Sequence, residues 1–261
     1  MSTSQEAPTA TPSGRGRPAW MTVAHWVLAT GAFVWLLCDP FAVQAFALAT
    51  SADVVREPTE TYRFATLVLG WARTWIMIAL VVSVTALVVL ECKRLISRRG
   101  SRPTVRRLLF VTMMVGLWCG IIIRYESIAW QGKRLRSMGR VNALDELAFT
   151  LRNNWPKEDG EIEGLGPFTA YPFGDPSVLL LLTPYPLDGT DTVIAAVERS
   201  PQGVLRFQLG GIDGGDWIEW HGGSSRPANF VGGLSERYSV TQYTPLRESW
   251  YLVRYDESTS F

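Results

Sequence analysis

The run Gly210-Gly211-Ile212-Asp213-Gly214-Gly215-Asp216 puts two carboxylates on flexible backbone, and Trp217, Glu219 and His221 follow it directly. Carboxylates and turn carbonyls are the ligands that a hard cation such as calcium takes, six to eight at a time. The spacing is not that of an EF-hand, and the run occurs once, unlike the repeated Gly/Asp motifs of calcium-binding β-helices. A glycine-rich connection between strands is the simpler account, so no metal is assigned. In a strand of period two, Trp217, Glu219 and His221 share one face, and Ile218 and Trp220 the other. With Ile218 and Trp220 in the core, the first face is polar with an aromatic edge. Such a face suits a sugar or other small ligand, or Glu219 and His221 as acid and base. Asp213, Asp216, Trp217, Glu219 and His221 are therefore the candidate ligand-binding residues.

His221 is the only histidine in the second half of the chain, which excludes a multi-histidine metal site there. Ser224 and Ser225 lie three and four residues further on, the residue types of a serine hydrolase, but the Gly-x-Ser-x-Gly elbow is missing. No catalytic residue and no cofactor is assigned.

Two further constellations lie earlier in the chain. Asp39 closes one apolar run and Arg73 opens the most uniform part of another, so an ion pair between them would lower the cost of each charge near a membrane interface. Its simplest role is structural, with an ion or proton site as the functional alternative. Gly116 and Gly120 form a small-xxx-small face suited to close packing of another helix of the same chain.

The elements that position these residues begin with three apolar stretches, at about 20–38, 71–91 and 105–124. At 1.5 Å per residue the first reaches about 28 Å, one hydrocarbon thickness. Asp39-Pro40 interrupts it, and apolar residues 41–49 let a helix resume beyond the break. A cleaved signal peptide ending near Ala47-Leu48-Ala49 is the rival reading, against which the apolar part is too long. The linker 92–107 carries Lys93, Arg94, Arg98, Arg99, Arg102, Arg106 and Arg107, the strongest orientation signal in the chain. Positive loops stay in the cytoplasm, so this linker and the Ser-, Thr- and Pro-rich tail 1–18, read as disordered, belong inside. The loop 50–63 and everything after residue 125 then belong outside. Lys133, Arg134, Arg136 and Arg140, close behind the third stretch, oppose that orientation.

Residues 126–261 read as a soluble domain. Leu135, Met138, Val141, Leu144, Leu147, Leu151 and Trp155 mark one long amphipathic helix, ended by Pro156. Short apolar runs between turn residues mark strands at 178–183, 192–199, 204–209, 217–221, 238–244 and 250–255, with a hairpin turn at Ser200–Gly203. The expected fold is a membrane protein with three transmembrane helices followed by an α+β domain of a long helix and a mostly antiparallel sheet. From Glu126 onward the chain holds 12 basic and 18 acidic side chains, a net charge of −6, which disfavours nucleic acid as a partner. The three cysteines, Cys38, Cys92 and Cys119, all precede this domain, so no disulfide supports it. At about 136 residues it is long enough to bury its own core.

The expectation that follows is a multi-pass protein of a bacterial-type cytoplasmic membrane. Its partners would be the lipid bilayer and either a membrane protein or further copies of itself. Its role would be that of an anchored extracytoplasmic assembly or protein-interaction subunit. Small-ligand sensing by the domain is the alternative, and a hydrolase-type enzyme the third.

Overall fold

A computed structural model describes residues 19–51, 56–96, 105–187, 192–211, 215–223 and 225–258. The tail 1–18, the centre of the basic linker, Asp213 and Ser224 lie outside the described residues. Three helices are long: α1 (Ala19–Cys38), and two later ones, α4 (Trp71–Ile96) and α5 (Val105–Met138). Their stretches Trp20–Cys38, Trp71–Lys93 and Leu108–Met138, of mean hydropathy 1.7, 2.4 and 1.9, are long and apolar enough to cross a membrane. Much of that apolar surface points outward, as at Val27, Val82, Leu109 and Ile123. Inside the bundle, Ala29, Ala32, Leu36, Trp118 and Ile121 form the common core.

The break after α1 falls at Asp39-Pro40. Asp39 Oδ1 accepts the Phe41 N–H at 2.9 Å, an Asx turn that redirects the chain into α2 (Ala42–Thr50). With α3 (Pro58–Leu69), α2 packs through Ala45, Ala65 and Leu69 against Met77 of α4. The end of α1 crosses α5 at Gly132, where any side chain would overlap the Leu37 carbonyl. Glycine is needed there because backbone lies directly on backbone.

The single amphipathic helix expected to run through residues 135–155 is two helices. α5 continues without interruption past Tyr125 to Met138, and after a turn at Gly139 the chain starts α6 (Val141–Asn153). Leu135 is 61% exposed and Met138 is exposed too, whereas Val141, Leu144, Leu147 and Leu151 are buried. The turn resets the helical phase. α5 buries Trp130, Lys133 and Ser137 on its inward face, and the apolar stripe starts afresh at Val141.

Nine strands form one antiparallel sheet: β1 (Gly160–Ile162), β2 (Gly166–Tyr171), β3 (Val178–Pro186), β4 (Thr192–Arg199), β5 (Leu205–Gly211), β6 (Asp216–Trp220), β7 (Phe230–Val231), β8 (Arg237–Arg247) and β9 (Trp250–Ser258). Their order is β1-β2-β3-β4-β5-β6-β9-β8-β7. All six expected strands are present. β1, β2 and β7 were not expected: β1 and β2 are short and contain Gly or Pro, and β7 is two residues long, so none carries an alternating apolar signal.

One face of the sheet packs on α6 and the end of α5 through Leu179, Ile194, Val197, Phe207, Ile218 and Leu252. Ile194 and Val197, an odd number of residues apart, share that face because the β4–β5 register shifts between Ile194 and Ala196. Trp250 donates from Nε1 to Asp145 Oδ1 at 2.6 Å and fastens α6 to β9.

Candidate functional site

The opposite face of the sheet carries a row of charge. Glu198 of β4 stands opposite Arg206 of β5, Arg206 opposite Glu219 of β6, and Glu219 opposite Tyr251 of β9. Cross-strand neighbours of opposite sign attract, and here they do so out of water, since all three charged side chains are buried. Glu219, 0% exposed, is held on both oxygens. Oε1 accepts from Arg206 Nε at 3.0 Å and from the Tyr255 hydroxyl at 2.6 Å, while Oε2 lies 2.7 Å from His221 Nε2. A carboxylate only accepts, so His221 Nε2 carries a hydrogen, and in the neutral imidazole Nδ1 is the acceptor. Nδ1 lies 3.0 Å from the Ser225 hydroxyl.

Residues 225–236 cover this row. Trp217 pins the cover by meeting Phe230, Tyr238 and Tyr255 edge-on, with ring centroids 5.8, 5.3 and 6.2 Å away. Gly232 and Gly233 rest so closely on the sheet that a side chain at Gly233 would overlap Val178, and one at Gly232 would come 2.8 Å from Tyr238 and 3.1 Å from Glu198 Oε1. Between cover and sheet lies an open cavity of about 610 Å³, lined among others by Glu198, Arg206, His221, Ser225, Arg226 and Asn229.

Burial is the main cause that pushes the Glu198 carboxyl up from 4.5 to about 7. The Arg206 guanidinium and the Gly233 N–H oppose the rise, and the charges of Glu236 and Glu219 add to it. Burial and the neighbouring Glu219 charge also push the Tyr255 hydroxyl well above its ordinary value, so it remains a donor. Asn229 Oδ1 accepts the Val240 N–H at 2.9 Å, and the residue is exposed at the cavity. Arg226 is exposed at the cavity.

Of the five residues singled out in sequence, Glu219 and His221 meet in this cavity wall. Trp217 shares their face, as period two requires. It is not an aromatic edge open to ligand, because β7 and β8 bring Phe230 and Tyr238 over it and leave it 1% exposed. Asp216 faces the other way. It binds Lys133 of α5, and its two oxygens accept from Arg254 Nε and Nη2 at 2.7 and 2.9 Å. Arg254 also lies over the Trp130 ring, 4.9 Å from its centroid. A smaller cavity of about 230 Å³ lies beside this cluster, between the sheet and the turn after α1, with Asp39, Gln44, Glu126 and Arg136 in its wall.

Asp39 and Arg73 do meet. Arg73 Nε donates to Asp39 Oδ2 at 2.8 Å, Trp35 Nε1 donates to the same oxygen at 3.0 Å, and the guanidinium covers the Phe41 ring at 4.0 Å. The Trp35 bond is local to the end of α1, and the two Arg73 contacts join that broken end to α4. Among the described residues, Gly116 and Gly120 do not pack against another helix: no atom outside their own helix backbone lies within 4 Å of a side chain built at either. The close crossing lies several turns further along α5, at Gly132, where the Leu37 backbone at the end of α1 meets it.

Glu198, Arg206, Tyr255 and Arg226 escaped the sequence reading. The Ser200–Gly203 hairpin contained the clue to the first two, since a turn there pairs Glu198 with Arg206. Among the described residues no three His, Cys, Asp or Glu side chains converge as metal ligands. Comparison with known proteins finds no family model, no curated protein and no solved structure that matches the chain.

Proposed function

We propose that this chain is a multi-pass membrane protein whose sheet domain stands on the outer side of a bacterial-type cytoplasmic membrane and binds a small anionic ligand in the covered cavity. The three apolar helices support the membrane setting by length and hydropathy, as do the exposed Trp20 and Trp26 near one end and Trp71 and Trp75 near the other, where indole rings favour the interface. The basic linker argues for the orientation. Three of the four opposing charges have structural reasons to be where they are: Lys133 is buried against Asp216, Arg136 donates to Leu37 O at 2.7 Å, and Arg134 donates to Pro245 O at 3.3 Å.

The observation that carries the ligand reading is the cavity of about 610 Å³, which gathers Arg226, Arg206, His221 and Asn229 around one carboxyl, Glu198, that titrates near 7. Pockets of this size with a few convergent polar groups are the usual form of a small-molecule site. Below pH 7 Glu198 is neutral and adds a donor; above it, its charge repels an anion. Binding therefore weakens as pH rises through about 7. Scanning fluorimetry of the full chain in mild detergent, with succinate, citrate and inorganic phosphate as probes at pH 6 and pH 8, tests this. A saturable stabilisation at pH 6 that Arg226→Glu removes is expected. Flat melting curves for all probes at both pH values would sink the reading.

The assembly reading has one observation of its own: Phe173, 94% exposed, sits at the tip of the β2–β3 turn. Co-purification of one stoichiometric membrane protein, lost on Phe173→Ser, is the result that this reading requires.

A further inference from the structure

We propose that Ser225, His221 and Glu219 form a nucleophilic relay that cleaves small esters at this cavity, an inference that rests on the cavity being a ligand site. The three groups are bonded in series, with Ser225 Oγ 3.0 Å from His221 Nδ1 and His221 Nε2 2.7 Å from Glu219 Oε2. This is the nucleophile, base and orienting acid arrangement of acyl transfer, recognised by roles and not by the order of residues in the chain. The imidazole is turned so that Nδ1 serves the hydroxyl and Nε2 the carboxylate, which changes nothing in the proton chemistry. Three features set this series apart from a casual surface contact. Glu219 is fully buried and its other oxygen is fixed by Arg206 and Tyr255, so the ring it orients cannot turn. His221 is 2% exposed and meets the Tyr251 ring edge-on at 5.2 Å, which fixes its plane. Ser225, by contrast, is exposed and lines the cavity beside His221, so the nucleophile and the base both border the space a substrate would fill while Glu219 stays behind them.

The step balances with water as the only co-reactant. Ser225 Oγ bonds to the ester carbonyl carbon as its proton passes to His221 Nδ1. The carbonyl electron pair moves onto oxygen, where the Asn229 amide nitrogen and the Arg226 guanidinium line the same cavity to receive the negative charge. On collapse the ester C–O bond breaks, and the alcohol leaves with the proton from His221. Water then attacks the acyl-serine, gives its proton to His221, and releases the carboxylic acid as Ser225 regains its hydrogen. Glu219 touches no substrate and acts as a positioning residue. Arg226 at the mouth selects esters that carry a negative group.

A fluorophosphonate probe applied to the full chain in mild detergent tests the relay, with the adduct mapped by peptide mass spectrometry. One adduct on Ser225 is expected, formed at least 100-fold faster than any labelling of Ser225→Ala. Glu219→Gln, in samples that keep the wild-type near-ultraviolet spectrum, is expected to shift the pH profile of the labelling rate, a change that a purely structural role would not produce. No adduct on the folded wild-type chain, an adduct on Ser224, or equal labelling of Ser225→Ala overturns the relay. If anion binding persists in that case, the ligand reading stands without it; if both fail, the cavity is not a site.

Discussion

Replacing Glu198 by Gln isolates the cost of keeping a carboxyl under the cover. The carboxyl titrates near 7 in the folded chain and near 4.5 when unfolded. Below pH 4.5 it is protonated in both states and contributes no difference. Between 4.5 and 7 the unfolded chain releases its proton first, so stability falls as pH rises, and above 7 the loss is complete. A separation of about 2.5 pH units corresponds to about 3 kcal/mol. Glutamine has the same shape and no charge, keeps an oxygen for the Gly233 N–H, and removes this loss. Its advantage over the wild type is therefore near zero at pH 4.5, grows through pH 6, and reaches about 3 kcal/mol by pH 8. For a domain of this size that amounts to roughly 10 °C in melting temperature. The assay is the near-ultraviolet circular dichroism of the full chain in detergent, in which buried Trp217 and Trp250 report the domain. A melting-temperature difference that stays constant from pH 5 to pH 8, or a glutamine variant less stable than wild type at pH 8, would refute the reasoning.

Removing Asp216 takes away the buried carboxylate that Lys133 and Arg254 both bind, so Asp216→Ala is expected to cost about 3–5 kcal/mol, with partial recovery when Lys133→Met is added; thermal melts of the single and double variants decide it. Trp217→Ala empties the centre of the aromatic cluster under the cover and is expected to cost about 3–5 kcal/mol and to expose residues 225–236 to protease, read by limited proteolysis. Gly132→Val forces α1 away from α5 and is expected to abolish accumulation in membranes, whereas Gly116→Ala meets nothing within 4 Å and is expected to leave levels unchanged; immunoblots of the membrane fraction compare them. A drop for Gly116→Ala would mean that a second protein covers that face.

How the domain and the helices are joined explains why several residues were hard to read. Lys133, Arg134 and Arg136 looked like charges stranded behind an apolar stretch, an orientation signal at odds with the linker. They are the hinge material between two layers: Lys133 reaches Asp216, Arg134 reaches the β8 backbone, and Arg136 reaches the end of α1. No local pattern announces this, because each partner lies about 80 to 110 residues away along the chain.

Sequence by itself determined the features that nearest neighbours control. Apolar length marked three long helices, Asp39-Pro40 marked the break after the first, alternation marked six strands, and period two placed Glu219 and His221 on the face opposite Ile218. The Asp39–Arg73 pair was also legible, because each charge ended an apolar run and needed a counterion. Only the tertiary structure decided which faces are covered. The phase of the stripe after Gly139 depended on a turn that periodicity alone ran straight through. The polar face of β6 became a buried row because residues 225–236 fold back across it, held by Trp217 against Phe230 and Tyr238. Alternation says that two side chains point the same way, but whether they meet water, a partner or a cavity depends on a distant segment that packs there. For that reason His221, which alternation placed only on the same face as Glu219, stands between Glu219 and Ser225 in the wall of the covered cavity.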